Sequence, residues 1–237
     1  MIVPTIRASF ARQDAQKVIF LLGGGDSELV NAATDRLEEA GLDALLDDPR
    51  TRNALLTNPS VSVSPQMIAY VLVRQSLLEG RIQSRSVADY VATVVFRFGE
   101  ERQAYRATRD GEEMHYLIDI VMKRAEQEGR ERFMYDAHLG NFSLWSAGLF
   151  PQHIEERESR RGAPPLEYYE MMGAGGFLRA ADAREAGELG LKPVFRYVAE
   201  HFRGVRIALN RISDRIFFPT GGNPAWRLLR ELDQAVG

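Results

Sequence analysis

Apolar residues recur every three or four positions through most of this chain, the spacing that lines one face of an α-helix. Glycines and cap-plus-proline pairs cut that pattern into segments. The first covers 6–22, with Phe10, Ala15, Val18, Ile19 and Leu22 in register, and stops at Gly23, Gly24 and Gly25. Asp26 or Ser27 caps the next, which reaches Ala40 and ends at Gly41. A short helical piece spans 42–46. Asp48-Pro49 begins another that runs to about Leu56, because proline suits the first helical turn, where its missing N–H is not needed. Residues 58–63 read as extended. Ser64-Pro65 repeats the cap-and-proline start. In 65–79 the apolar residues Ile68, Val71, Leu72, Val73, Leu77 and Leu78 point in most directions, as in a helix buried on all sides.

Beyond Gly80, the segment 86–98 places Val87, Val91, Val94, Val95 and Phe98 at helical spacing. Its β-branched residues make a strand the competing reading, as they do for 18–22. A strand at 18–22 followed by GGGDS and a helix would look like a phosphate-binding turn, but the glycine spacing of the known phosphate loops is absent. Residues 100–110 are polar and irregular. The stretch 111–128 is predicted as an amphipathic helix with Met114, Leu117, Ile118, Val121 and Ala125 toward the core. After Pro151, 152–161 reads as a charged, exposed helix and 162–165 as a turn. A helix over 166–187 carries a weak point at 173–176. The segments 192–202 and 205–218 form a helix pair around Arg203-Gly204. A loop at 219–224 precedes a last amphipathic helix over 225–236.

The segment 133–150 is apolar on two opposite sides, so it is predicted to lie between layers. One side is small: Ala137, Gly140, Leu144 and Ala147. The other holds Met134, His138, Phe142, Trp145 and Leu149, with Asn141 at its edge. Asp136 and Ser143 share a third side, seven residues apart. Polar groups in such a helix must be hydrogen-bonded or must line a polar pocket. His138, Asn141, Trp145 and Asp136 are therefore the candidate ligand-binding residues. Their alternative role is structural, with each polar group bonded to a neighbouring helix.

Composition narrows the class. The chain has 237 residues, no cysteine, and a net charge of -3 from 33 acidic and 30 basic residues. Without cysteine there are no disulfides, thiolate metal sites or cysteine nucleophiles. Balanced charge provides no global field for nucleic acid or an anionic membrane. No apolar run reaches membrane-spanning length and no secretory signal is evident, so a soluble, cytoplasmic protein is expected.

Three further constellations carry chemistry in principle. Glu112 and His115 stand at the i, i+3 spacing of half a di-iron carboxylate site. No second such pair exists, and both residues point away from the predicted apolar stripe, which leaves them weak, outward metal candidates. The segment 192–215 is rich in Lys and Arg, and its second helix turns Arg206, Asn210, Arg211 and Arg215 outward, loosely resembling a DNA-reading helix pair. The run Gly173-Ala174-Gly175-Gly176 reads as a kink or a tight helix crossing. The expectation is a mainly α, irregular bundle of roughly nine to eleven helices in one domain, with 65–79 and 133–150 innermost, little or no sheet, and a weak candidate hinge at 155–165. Binding of a protein partner or a small molecule is the leading function. A His- or metal-dependent enzyme and a DNA-binding regulator are the alternatives, with nucleic acid disfavoured, and no cofactor is called for. Oligomeric state cannot be read from the pattern.

Overall fold

A computed structural model of the chain describes residues 5–58, 63–99, 103–108 and 111–217. Among these are thirteen α-helices and two short 3-10 turns, with no strand. The expected loop and helix beyond residue 218, and most of the extended stretch at 58–63, lie outside the described residues. Among the described residues no helix is long and apolar enough to cross a membrane. Contacts divide the chain into two compact units; in the described residues one covers 5–96 with 215–217 and the other Arg97–Asp214. The segment 155–165 lies within the second unit.

The first unit holds α1 (Arg12–Gly23), α2 (Ser27–Ala40), α3 (Leu42–Leu46), α4 (Pro49–Thr57), α5 (Pro65–Glu79) and most of α6 (Arg85–Phe98). The local signals behave as their chemistry predicts. Asp26 accepts the Glu28 N–H at 2.8 Å, Asp48 accepts the Arg50 N–H at 2.9 Å, and Gly24 closes α1 in the left-handed region at φ 55°. Both strand-prone stretches are helical. Burial along one face, including Val18 and Leu21 in α1 and Val87, Val91 and Val95 in α6, outweighs a propensity deficit of only some tenths of a kcal/mol per β-branched residue.

Residues 67–77 of α5 are buried throughout. Arg74 and Gln75 among them are bonded to neighbouring elements. Arg74 grips Asp47 at 2.6 and 3.0 Å and donates to the Gln83 carbonyl at 2.8 Å, while Gln75 donates to the Leu46 carbonyl. Burial opposes ionisation of Asp47, but hydrogen bonds from Arg74 and Arg85 outweigh it and hold its carboxyl below the usual range. The 3-10 turn Ile6–Ser9 is held to α6, where Thr93 and Asp89 accept the Ile6 and Arg7 N–H groups, each at 3.0 Å.

The second unit holds α7 (Leu117–Ala125), α8 (Gly129–Leu149), α9 (Pro151–Arg161), α10 (Leu166–Asp182), α11 (Arg184–Glu188), α12 (Lys192–Glu200) and α13 (Phe202–Phe217). Two expectations need correction. The helix predicted over 111–128 begins only at Leu117, where the Asp119 carboxylate accepts the Tyr116 N–H. Its stripe is also rotated. Leu117 and Ile120 are buried, whereas Ile118 and Met122 are 53 % and 62 % exposed. The helix predicted over 166–187 does not weaken at 173–176. It runs unbroken through the glycines and stops at Ala183.

Those glycines mark the crossing of α10 over α8. A Cβ at Gly176 would stand 2.8 Å from the Asp136 carbonyl oxygen and the Gly140 nitrogen, and a Cβ at Gly140 would stand 2.7 Å from the Phe177 ring. Backbone approaches backbone here, so the small residue is a packing requirement. Gly176→Ala is expected to cost about 1–3 kcal/mol, the usual effect of overpacking. Gly175→Ala, which would meet only the guanidinium of Arg179, at 3.1 Å, should be neutral or stabilising by up to ~1 kcal/mol. Urea unfolding of the two variants checks this, and equal effects would show that the crossing is not tight.

Candidate functional site

Helix α8 presents three environments. On the side of Asp136, Gly140 and Ser143 it meets α7 and α10. Asp136 is 4 % exposed and accepts from the Nε of both Arg124 and Arg179, the latter at 2.7 Å, so one carboxylate joins three helices. Ser143 is buried where α10 comes close, with the Cβ position of Gly173 2.7 Å from its own Cβ, and its hydroxyl has no partner.

At its C-terminal end α8 meets α13. The last carbonyls of a helix lack intrahelical donors. Asn210 donates to the carbonyls of Ala147 and Gly148 at 2.9 and 2.8 Å, and Ser213 donates to that of Leu149 at 2.6 Å. Arg206 orients Asn210 and donates to Glu170 of α10 at 2.6 Å. This corrects the outward placement of Arg206 and Asn210. Arg206 is only 8 % exposed, because an acidic partner from another helix draws it inward.

The third side is aromatic. His138 and Trp145 are buried there, and Asn141 is buried on the same side of the helix. Phe98, the last residue of α6, touches both rings, with centroids 5.7 Å from His138 and 5.8 Å from Trp145. Phe142 lies 6.3 Å from His138, and Phe150 packs edge-on to Trp145 at 5.0 Å. Among the described residues the His138 Nε2 and the Trp145 Nε1 in this nest have no hydrogen-bond partner. A buried polar atom left unpaired costs about 1–3 kcal/mol. Burial also pushes the imidazole down to about 3, so it is neutral at physiological pH and a poor general base there. The structure thus brings His138 and Trp145 together through Phe98 and sets Asp136 on the opposite side, committed to arginines.

The outward candidates are on the surface and off any helix. Glu112 pairs with Lys123 at 3.2 Å, and the His115 ring lies 4.5 Å from that of Tyr105. They leave the helix because α7 begins after them. Among the described residues no group of three or more His, Asp or Glu side chains is placed to hold a metal. Sequence reasoning missed Phe98 as a neighbour of His138, since that contact spans forty positions. It also missed the Tyr70 hydroxyl on α5, which is buried and unpartnered, its ionisation pushed up to about 12 by burial. The signal for Tyr70 was the one that singled out α8: a polar group in a helix apolar all round.

Comparison with protein-family models, with curated proteins and with solved structures finds no match to this chain.

The His138 environment has a measurable pH signature. Its folded value of about 3 lies below the ordinary 6.5, so between the two the unfolded chain binds the extra proton. Stability should therefore fall as pH drops from about 6.5 toward 3, by up to ~1.4 kcal/mol per unit from this side chain. His138→Leu should flatten that part of the profile. Identical slopes for wild type and variant in urea titrations between pH 6.5 and 4.5 would show that the imidazole is not buried neutral.

Proposed function

We propose that the second unit binds a small molecule against the His138–Asn141–Trp145 side of α8. One observation carries the reading: two buried ring nitrogens, on one helix face and touching one phenylalanine, lack partners where apolar rings would pack without penalty. A ligand that bonds to them recovers the lost hydrogen bonds. Binding sites commonly sacrifice stability in this way. The neutral imidazole fits recognition better than proton transfer at neutral pH.

The reading predicts opposite effects on stability and binding. His138→Leu should leave the ligand-free protein as stable as wild type, or up to ~1 kcal/mol more stable, because an unsatisfied polar atom is removed. Compounds that raise the wild-type melting temperature in a metabolite screen should lose that effect in His138→Leu and Trp145→Phe. If both variants merely melt earlier and no compound separates them from wild type, the side chains are structural.

A second reading rests on α7. Ile118 and Met122, one turn apart, are exposed, with exposed Tyr116 beside them under the Arg157 guanidinium at 5.1 Å. An apolar face on a short surface helix suits a protein partner. Ile118→Glu with Met122→Glu should leave folding intact and abolish capture of that partner in pull-downs. Undiminished capture would remove the face from consideration.

A further inference from the structure

We propose that the ligand is an uncharged, flat aromatic molecule with a hydrogen-bond acceptor on its edge, seated where the Phe98 ring now lies; this rests on the reading of the α8 face as a ligand site. Phe98 is the only ring from outside the segment 138–150 among those that touch His138 or Trp145 in the described residues. It occupies a ring-sized volume in contact with both unpartnered nitrogens and can accept a conventional hydrogen bond from neither. Phe142 and Phe150 are fixed within and at the end of α8. Phe98 ends α6 and is followed by Gly99, so its ring can withdraw while α8 stays in place.

The chemistry of the walls sets the class. Indole Nε1–H only donates, so the group facing Trp145 must accept. A neutral imidazole nitrogen donates or accepts according to tautomer, so a carbonyl or a ring N–H suits His138. No charged side chain is among the ring partners, and the one carboxylate buried on α8, Asp136, is already bonded to Arg124 and Arg179 on the opposite side. Among the described residues no charged side chain stands at these rings to offset the desolvation of a charged ligand. Three aromatic walls favour a flat aromatic body.

The test uses the full chain and three compounds of one shape: quinolin-2-one, naphthalene and naphthalene-2-carboxylate. Binding is measured by calorimetry and by the indole N–H signal of Trp145, assigned through its loss in Trp145→Phe. Quinolin-2-one should bind and move that signal. Naphthalene should bind about tenfold more weakly, the effect of one buried hydrogen bond, and the carboxylate should not bind. In Phe98→Ala, with Phe98→Leu as the milder form, quinolin-2-one should bind at least about tenfold more tightly, because no ring has to be displaced. Equal affinity for quinolin-2-one and naphthalene would overturn the acceptor requirement. Preference for the carboxylate, with the Trp145 signal moving, would overturn the class and leave the site standing. Unchanged affinity in both Phe98 variants would overturn the ring replacement. If no compound moves the Trp145 signal in wild type or either Phe98 variant, both this inference and the ligand site itself are wrong.

Discussion

A helix buried on every side must account for each polar atom it carries, because no water is there to receive a donor or acceptor left over. Helix α8 is such a helix, and most of the second unit follows from how it is covered. Where α10 crosses it, Gly140 and Gly176 let the backbones approach, and Asp136 ties α7 and α10 to the same turn. Where it ends, Asn210 and Ser213 of α13 supply the donors its last carbonyls need. Arg206 then links that cap to Glu170 of α10. Losing Asn210 or Ser213 would take away the side-chain donors that the carbonyls at the end of α8 now have.

The first unit meets the same constraint differently. Its buried helix α5 also carries polar residues, and Arg74 and Gln75 are satisfied by Asp47, Gln83 and Leu46. The Tyr70 hydroxyl, without a hydrogen-bond partner among the described residues, lies in the field of Arg7, Asp43, Arg74 and Asp47, where a rotating O–H dipole can orient favourably. On the aromatic side of α8 no hydrogen bond among the described residues satisfies the His138 Nε2 or the Trp145 Nε1.

What was legible in the sequence was what local chemistry decides. The limits of α5 follow from Ser64-Pro65 and Gly80, and the stop of α8 from Pro151, because caps and breakers act within a few residues. The sides of α8 could be read from its wheel, including the one shared by His138 and Trp145. Long-range choices could not. In α7, Leu117, Ile118, Ile120, Val121 and Met122 surround so short a helix that periodicity leaves open which side faces the core. The glycines of α10 read as a weak point because each costs a helix about 1 kcal/mol. A tight helix crossing was the other reading of these glycines, and what the α10 sequence alone does not reveal is that α8 is the partner. Arg206 turned inward because Glu170, thirty-six positions earlier, awaits it. Phe98 reaches His138 by the same kind of distant contact.

The three unpartnered side chains of α8 do not mean the same thing. Ser143 sits where the Cβ position of Gly173 comes within 2.7 Å of its own Cβ, so the site demands a small residue. There the hydroxyl is a minor cost attached to the required size, and alanine would serve almost as well. Size does not protect His138, since leucine has a similar volume and would leave nothing unpaired. Trp145 also fills its site by size, and phenylalanine there would remove the unpaired nitrogen but leave space behind. Two buried unpaired nitrogens at about 1–3 kcal/mol each are a large fraction of the 5–15 kcal/mol by which a domain of this size is stable. That cost is the ground on which the proposed ligand site on this face of α8 rests.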